Sequence, residues 1–312
     1  MNTTTDLKYE VTFWKDEFEK WLKSTPTAKR RERSALTLDA YNSDIKQMGE
    51  WFEKLNGEAF EPGQINSMDL KTYFAALEQN SKPATYNRKL ASVRMLIQWA
   101  RLAGLLDYDP AEWIPFAEAA QQSPRDVSDE EYARLEEVAN AGEGSFLGLR
   151  DSLIFHLMGE AGLRISEALH LKIKEVDFFR NLLCFRGKGG KYREVMVNEK
   201  LACKIRAWLE RAPKSIDGTL VTDETGYPIQ RGQAGDRFGL IAKAAGVKAT
   251  PHAMRHSFVM RVLDAYMQDA PGRQMVAAIK FVCQQTGDST DVIMSYYTNP
   301  RESDMRAAMN RI

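Results

Sequence analysis

Apolar residues in the first hundred positions recur at alternating intervals of three and four, the spacing of helices with one buried face. Leu38, Tyr41, Ile45, Met48, Phe52 and Leu55 form one such face, with Thr37 placed to cap the helix. Ser67 can cap a second helix carrying Leu70, Phe74 and Leu77. Ser81 with Pro83 opens a third, carrying Tyr86, Leu90, Val93, Ile97 and Ala100. Upstream, Val11, Trp14, Phe18 and Trp21 or Leu22 predict one more, so the N-terminal part reads as a small helical bundle. The stretch from Pro110 through Pro115 to Pro124 then mixes Pro, Ala and Gln, which predicts a linker before Ser128 starts a new helix.

The second half is again mostly helical, with one clear strand signal. Leu182 to Arg186 and Arg193 to Val197 flank the turn Gly187-Lys188-Gly189-Gly190-Lys191, which predicts a hairpin with a lysine-bearing turn. These patterns divide the chain into residues 1–110, a linker at 111–127, and a second domain at 128–312.

Composition narrows the function. The 43 basic and 43 acidic side chains cancel, which removes the bulk positive charge of a histone-like DNA coat, so any contact with a polyanion must be local. Two local basic surfaces exist. Lys82, Arg88, Lys89, Arg94 and Arg101 come without an acid, and Asn87, Arg94 and Arg101 recur every seven residues on one stripe. From Arg180 to Lys214 the bases, among them Lys191 and Arg193, again outnumber the acids. Cys184, Cys203 and Cys283 form no CxxC pair, and the start MNTTTDLKYE lacks a basic-then-apolar leader, so a reducing, cytoplasmic setting is expected. No apolar run approaches the ~20 residues that cross a bilayer, so no membrane partner is expected.

Several familiar sites find no support. GKGGKY lacks Ser or Thr after its lysine and lies between strands rather than opening a helix, which argues against a triphosphate site. His252 and His256 are four apart, yet no Glu lies between them and no third ligand is evident, so no metal is expected. There is no GxSxG turn. What remains is a set of cations and a tyrosine. Arg164 emerges at a turn with Glu167 three residues on, Lys188 sits at the hairpin tip, His252 and Arg255 share a helix face behind Thr250, and Tyr297 lies one turn beyond Ile293. Each alone reads as an ion pair, a polar turn or packing.

Together these segments resemble the tyrosine recombinase (phage integrase) family, including Xer-like site-specific recombinases. The resemblance runs through GLRISEALHLK, FRGKGGKYREV, TPHAMRHSF and TGDSTDVIMSYYT in order, behind a helical half containing LTLDAYNSDI and TYNRKLASVRMLIQWARLAGLLDYDPA. It spans residues 30 to 298. It implies a mainly α fold with a small β-sheet: an N-terminal helical core-binding (SAM-like) domain plus an α+β catalytic domain, clamped around DNA. It also implies double-stranded DNA as partner, a homotetramer on paired sites, possible accessory DNA-binding proteins, a mobile-element role, a nucleoid-associated location, and no cofactor. The catalytic set carried over is Arg164, Lys188, His252, Arg255 and Tyr297, with Glu167 and His256 supporting it. Arg88, Lys89, Arg94, Arg101, Lys191 and Arg193 are expected to bind DNA.

The residue types suit phosphoryl transfer. Attack of a tyrosine oxygen on a phosphodiester builds negative charge on the nonbridging oxygens, which two guanidiniums can stabilise. The resemblance gives Lys188 the role of acid to the leaving 5′ oxygen and His252 that of base or hydrogen-bond partner to the phenol.

One position departs from the family. Where a His or Trp is usual, in a Gly-His-Ser context, the chain reads Gly287-Asp288-Ser289. Losing one transition-state donor typically costs about 10²–10³ in rate. Asp288 is therefore expected to be turned away or protonated, or else the enzyme is slow, with Arg273, Gln284 and Gln285 as replacement donors. Two rival readings follow: a type IB topoisomerase-like DNA relaxer, and a catalytically weak DNA-binding protein of architectural or regulatory role.

Overall fold

In a computed structural model, residues 4–27, 32–118, 127–187, 190–269, 275–298 and 309 are described. The chain divides into two compact units, residues 1–121 and 122–312.

The first unit contains α1 (Thr4–Ser24), α2 (Ala35–Asn56), α3 (Ser67–Asn80) and α4 (Pro83–Leu102). Its core gathers Trp14, Phe18 and Leu22 of α1, Ile45, Met48 and Phe52 of α2, Leu70 and Phe74 of α3, and Leu90, Val93 and Ile97 of α4. Leu55, read as part of the α2 face, is instead 54% exposed. It sits in the last turn, just before Gly57 ends the helix at φ 75° by donating to the Glu53 carbonyl. The caps also fall one to three residues from the expected ones, upstream for α2 and α3 and downstream for α4. Ser34 accepts from the Thr37 N–H, Asn66 accepts from the Asp69 N–H, and Lys82 precedes Pro83 at the first position of α4. Within residues 111–118, read as linker from their composition, Ala111 and Ile114 are buried in this core and Ala117 packs against it.

The second unit begins with α5 (Asp129–Ala141), closed by a capping box between Ser128 and Glu131. It continues through α6 (Phe146–Gly159), α7 (Ile165–His170), β1 (Val176–Asp177), β2 (Leu182–Arg186), β3 (Tyr192–Met196), α8 (Glu199–Arg211), α9 (Arg231–Ala244), α10 (Pro251–Asp269), α11 (Met275–Thr286) and α12 (Thr290–Thr298). Every residue of α6 from Leu149 to Gly159 is buried, which makes it the central helix. The strands form one antiparallel sheet in the order β1-β2-β3, with Leu183 opposite Val195 and Phe185 opposite Arg193. A smaller apolar cluster of Val259, Leu263, Val282 and Ile293 joins α10, α11 and α12.

Two turns aim the polar residues. After α6, Gly162 takes φ 64°, and a Cβ there would lie 2.4 Å from the Phe258 ring, so both conformation and space demand glycine. After α11, Gly287 takes φ 69°, and its N–H bonds the Cys283 carbonyl at 2.7 Å. Among the described residues no helix is long and apolar enough to cross a membrane.

Candidate active site

Arg164 leaves the Gly162 turn as the N-cap of α7. Glu167 caps it from one side, accepting from the Arg164 backbone N–H at 2.9 Å through Oε2 and from its Nη1 at 2.9 Å through Oε1. The same Oε1 accepts from Nη1 of Arg193 on β3 at 2.9 Å. Arg193 Nη2 continues to the Gln285 carbonyl at the end of α11 at 2.6 Å, and its guanidinium lies over the Phe185 ring. Glu167 thus ties α7 to the hairpin, and Arg193 ties the hairpin to α11.

Arg255 comes from the second turn of α10, whose first turn is capped by the Thr250 hydroxyl accepting from the Ala253 N–H. Its Nη1 donates to the Gly162 carbonyl at 2.5 Å and its Nη2 to the Thr286 carbonyl. Its side chain is 3% exposed, against 31% for Arg164. Burial lowers the Arg255 guanidinium from its ordinary pKa, the Asp288 charge pulls it back up, and the Arg164 charge adds to the lowering.

Asp288 is not turned away. Its Oδ1 accepts from Arg164 Nη2, and its Oδ2 accepts from Arg255 Nε at 3.2 Å and Nη2 at 2.6 Å. The carboxylate therefore bridges the two guanidiniums, holding the place where an outside anion would meet both. Beside it opens a cleft of about 420 Å³ lined by Arg164, Lys191, Tyr192, Gln284 and Asp288.

His252 is exposed on the same helix as Arg255 and lines a separate cleft of about 550 Å³ with Lys243 and Lys248. His256 is buried. Tyr297 lies on α12 one turn after the buried Ile293, and its side chain is outside the described residues, as are Lys188 and Arg273. Of the other replacement donors, Gln285 is buried, while Gln284 faces the cleft.

The expected DNA-contacting set needs correction. Arg193 is buried, and its guanidinium is held by Glu167 and Gln285, so it serves the site's framework rather than a DNA surface. Lys89 is buried as well: its Nζ donates to Gln47 Oε1 at 2.7 Å and stands 3.9 Å from the buried Asp44. Arg88 also donates to Asp44, so this pair of cations ties α4 to α2. The Asn87–Arg94–Arg101 stripe is partly covered by its own unit. Asn87 exchanges hydrogen bonds with the Ala117 backbone, and Arg94 donates to the Ile114 carbonyl and packs on Phe116. Arg101 and Lys191 remain exposed.

Comparisons with known proteins agree on one family. Residues 125–270 match the phage integrase family, and residues 16–104 match the phage integrase N-terminal SAM-like domain. The tyrosine recombinase XerD of Ralstonia nicotianae is 30% identical over 237 residues, covering 73% of this chain and 75% of the relative. The tyrosine recombinase XerC of Mycobacterium tuberculosis is 27% identical over 312 residues, covering 95% and 97%. Among solved structures, a XerH site-specific recombinase bound to difH substrate before cleavage is 18% identical, with TM-score 0.67 over 96% of this chain and 95% of that one. A lambda integrase dimer bound to a COC′ core site is also 18% identical, with TM-score 0.66 over 93% and 96%. With matched segments in both units and a relative at 30% identity along three quarters of its own length, the chain belongs to the phage integrase family of tyrosine recombinases.

Proposed function

We propose that the chain cuts and rejoins double-stranded DNA at specific sites, with Tyr297 as nucleophile and Arg164 and Arg255 as receivers of the scissile phosphate. The observation that carries this reading is the convergence of two arginines, 91 positions apart in the sequence, on a single anion, Asp288. Guanidiniums held by Glu167, Gly162 and Thr286 are already aimed, so they stabilise charge developing on nonbridging oxygens without reorganising at the moment of reaction.

The phenol oxygen of Tyr297 attacks phosphorus and the 5′ oxygen leaves with a proton, for which Lys188 is the donor. His252 accepts or holds the phenol proton. The 3′-phosphotyrosyl link conserves the diester's energy, so a 5′-hydroxyl of another strand reseals it without ATP. A XerH site-specific recombinase bound to its difH substrate and a lambda integrase dimer bound to a COC′ core site support DNA, read here as duplex, as the partner. Exchange between two duplexes calls for paired sites and, by the family resemblance, a homotetramer in the cytoplasm, with a mobile element or the chromosome as target.

The occupied anion seat favours one second reading: a DNA-binding member of the same fold with weak catalysis. One experiment separates the two. DNA fragments recovered with the protein from cells are nicked near the candidate site and incubated with the full chain. Covalent protein–DNA adducts that vanish in Tyr297→Phe support strand transfer. Adducts that persist in Tyr297→Phe reassign the nucleophile, and bound fragments that never give adducts favour the second reading.

A further inference from the structure

Asp288 is bound as a ligand would be. One carboxylate oxygen takes Arg164 Nη2, and the other takes Arg255 Nε and Nη2. Of its other donors, Arg255 Nη1 serves the Gly162 carbonyl and stands 3.6 Å from Glu167 Oε2, Nη2 also serves the Thr286 carbonyl, and the side chain is 3% exposed. A phosphate approaching from the cleft therefore finds Arg255 with Nε and Nη2 already answered by a negative charge. It reaches them only where that charge stands now. The framework around the seat does not depend on Asp288: Glu167 holds Arg164, and two backbone carbonyls hold Arg255.

We propose that Asp288 is an internal substitute for the scissile phosphate, and that DNA engages Arg164 and Arg255 by exchanging with this carboxylate. The proposal rests on the reading above that these arginines receive a phosphate. It explains how the chain tolerates an acid at this position. With the seat empty of DNA, the carboxylate neutralises one buried and one partly buried cation at contact distance. With DNA bound, the diester phosphate, itself a monoanion, takes the same donors, and the extra charge that grows on it in the transition state holds them more strongly than a carboxylate does. Release is local, because Asp288 lies in the short junction between Gly287 and α12, the helix that carries Tyr297. Leaving the seat thus frees the start of the nucleophile's helix at the moment the phosphate arrives.

The test uses inorganic phosphate as probe and no DNA. The full-length protein, Asp288→Ala and Asp288→Asn are titrated with phosphate at constant ionic strength set by chloride, and the unfolding midpoint is followed. A ligand that binds only the folded state raises that midpoint with its concentration. The expected result is little response in the native chain and phosphate binding roughly ten- to hundredfold tighter in both variants, the effect of removing one like charge from contact distance. Adding Arg164→Ala to either variant should cancel the gain. A variant that folds only when phosphate is present reads the same way. The proposal is overturned if the native chain responds as strongly as the variants, or if neither variant gains phosphate affinity. Failure of the recombinase reading is seen elsewhere, in the absence of Tyr297-dependent adducts, so the two cannot be confused.

Discussion

Arg193 and Glu167 meet at 2.9 Å between the hairpin and the N-terminus of α7, and through that ion pair the hairpin fixes the guanidinium of Arg164. Arg193 is a positioning residue: it touches Glu167 and the Gln285 carbonyl with separate nitrogens of one fork. Arg193→Lys cannot span both acceptors. It should lower the single-turnover rate of adduct formation about 10²-fold, comparable to the loss of an aimed donor, while leaving noncovalent affinity for the same DNA within about twofold. A parallel loss of binding and rate would show instead that Arg193 reaches DNA.

Asp288→His should remove the seated anion and add a donor beside Arg164 and Arg255. Adduct formation is expected to rise by roughly tenfold or more, since one transition-state donor is typically worth 10²–10³. The same change should destabilise the unliganded protein by about 2–3 kcal/mol, because Arg255 loses its buried countercharge. Quench-flow of adduct formation and urea unfolding of the same preparation check both halves. An unchanged or slower rate would mean that Asp288 serves the reaction itself.

Some of this was legible in the sequence and some was not, for identifiable reasons. Buried faces such as Ile45–Met48–Phe52 and the Leu182–Met196 hairpin follow from periodicity, because burial on one side imposes it. The motif order around Arg164, Lys188, Arg255 and Tyr297 was readable by resemblance. Caps were off by one to three residues because Ser, Thr and Asn cluster at helix starts and any of them can accept the first N–H. The fates of Lys89 and Arg193 were invisible. A long cation is amphipathic, and whether it snorkels to water or turns inward depends on acids elsewhere in the chain, here Asp44 and Glu167. The placement of Asp288 was equally hidden, since its partners lie 124 and 33 residues away.

The corrected basic surface makes a prediction of its own. Arg101 is exposed and Lys89 is not, although both belong to the acid-free run on α4. Arg101→Ala should reduce the slope of log affinity against log salt for duplex DNA by about 1, the signature of one lost phosphate contact. Lys89→Met should leave that slope alone and instead cost about 1–3 kcal/mol of stability by removing a partner of buried Asp44. Fluorescence titrations at several salt concentrations distinguish them, and a slope change in Lys89→Met would refute the structural assignment.

Gly162 bears on the site through its backbone alone. A methyl group there would strike Phe258 at 2.4 Å in a φ 64° turn, and the carbonyl that Arg255 Nη1 holds belongs to the same residue. Gly162→Ala should cost about 2–4 kcal/mol and should misplace Arg164 and Arg255 together. Thermal unfolding measures the first effect. The second appears as lost adduct formation in whatever fraction stays folded.

A polar network at the end of α6 contributes to the acid limb of stability. Glu160 ends α6 with its side chain almost wholly buried, His156 Nδ1 lies 2.8 Å from its Oε1, and Lys200 reaches the same oxygen at 3.3 Å from α8. Burial by itself pushes the Glu160 carboxyl up. The hydrogen bond and charge of His156, with Asn198 and Lys200, more than reverse this and bring it down to about 2 from an ordinary 4.5. Because the folded value lies below the unfolded one, the unfolded chain binds the extra proton. The stabilisation is therefore complete above about pH 5 and drains away as the pH falls toward 2. Lys200 is half exposed, so water screens part of the interaction and the contribution amounts to about 1–2 kcal/mol. Glu160→Gln should lower stability at neutral pH by that order and flatten the decline between pH 5 and pH 2. Urea midpoints measured across this range decide it: parallel curves for the native chain and Glu160→Gln would show that other carboxylates govern the acid limb.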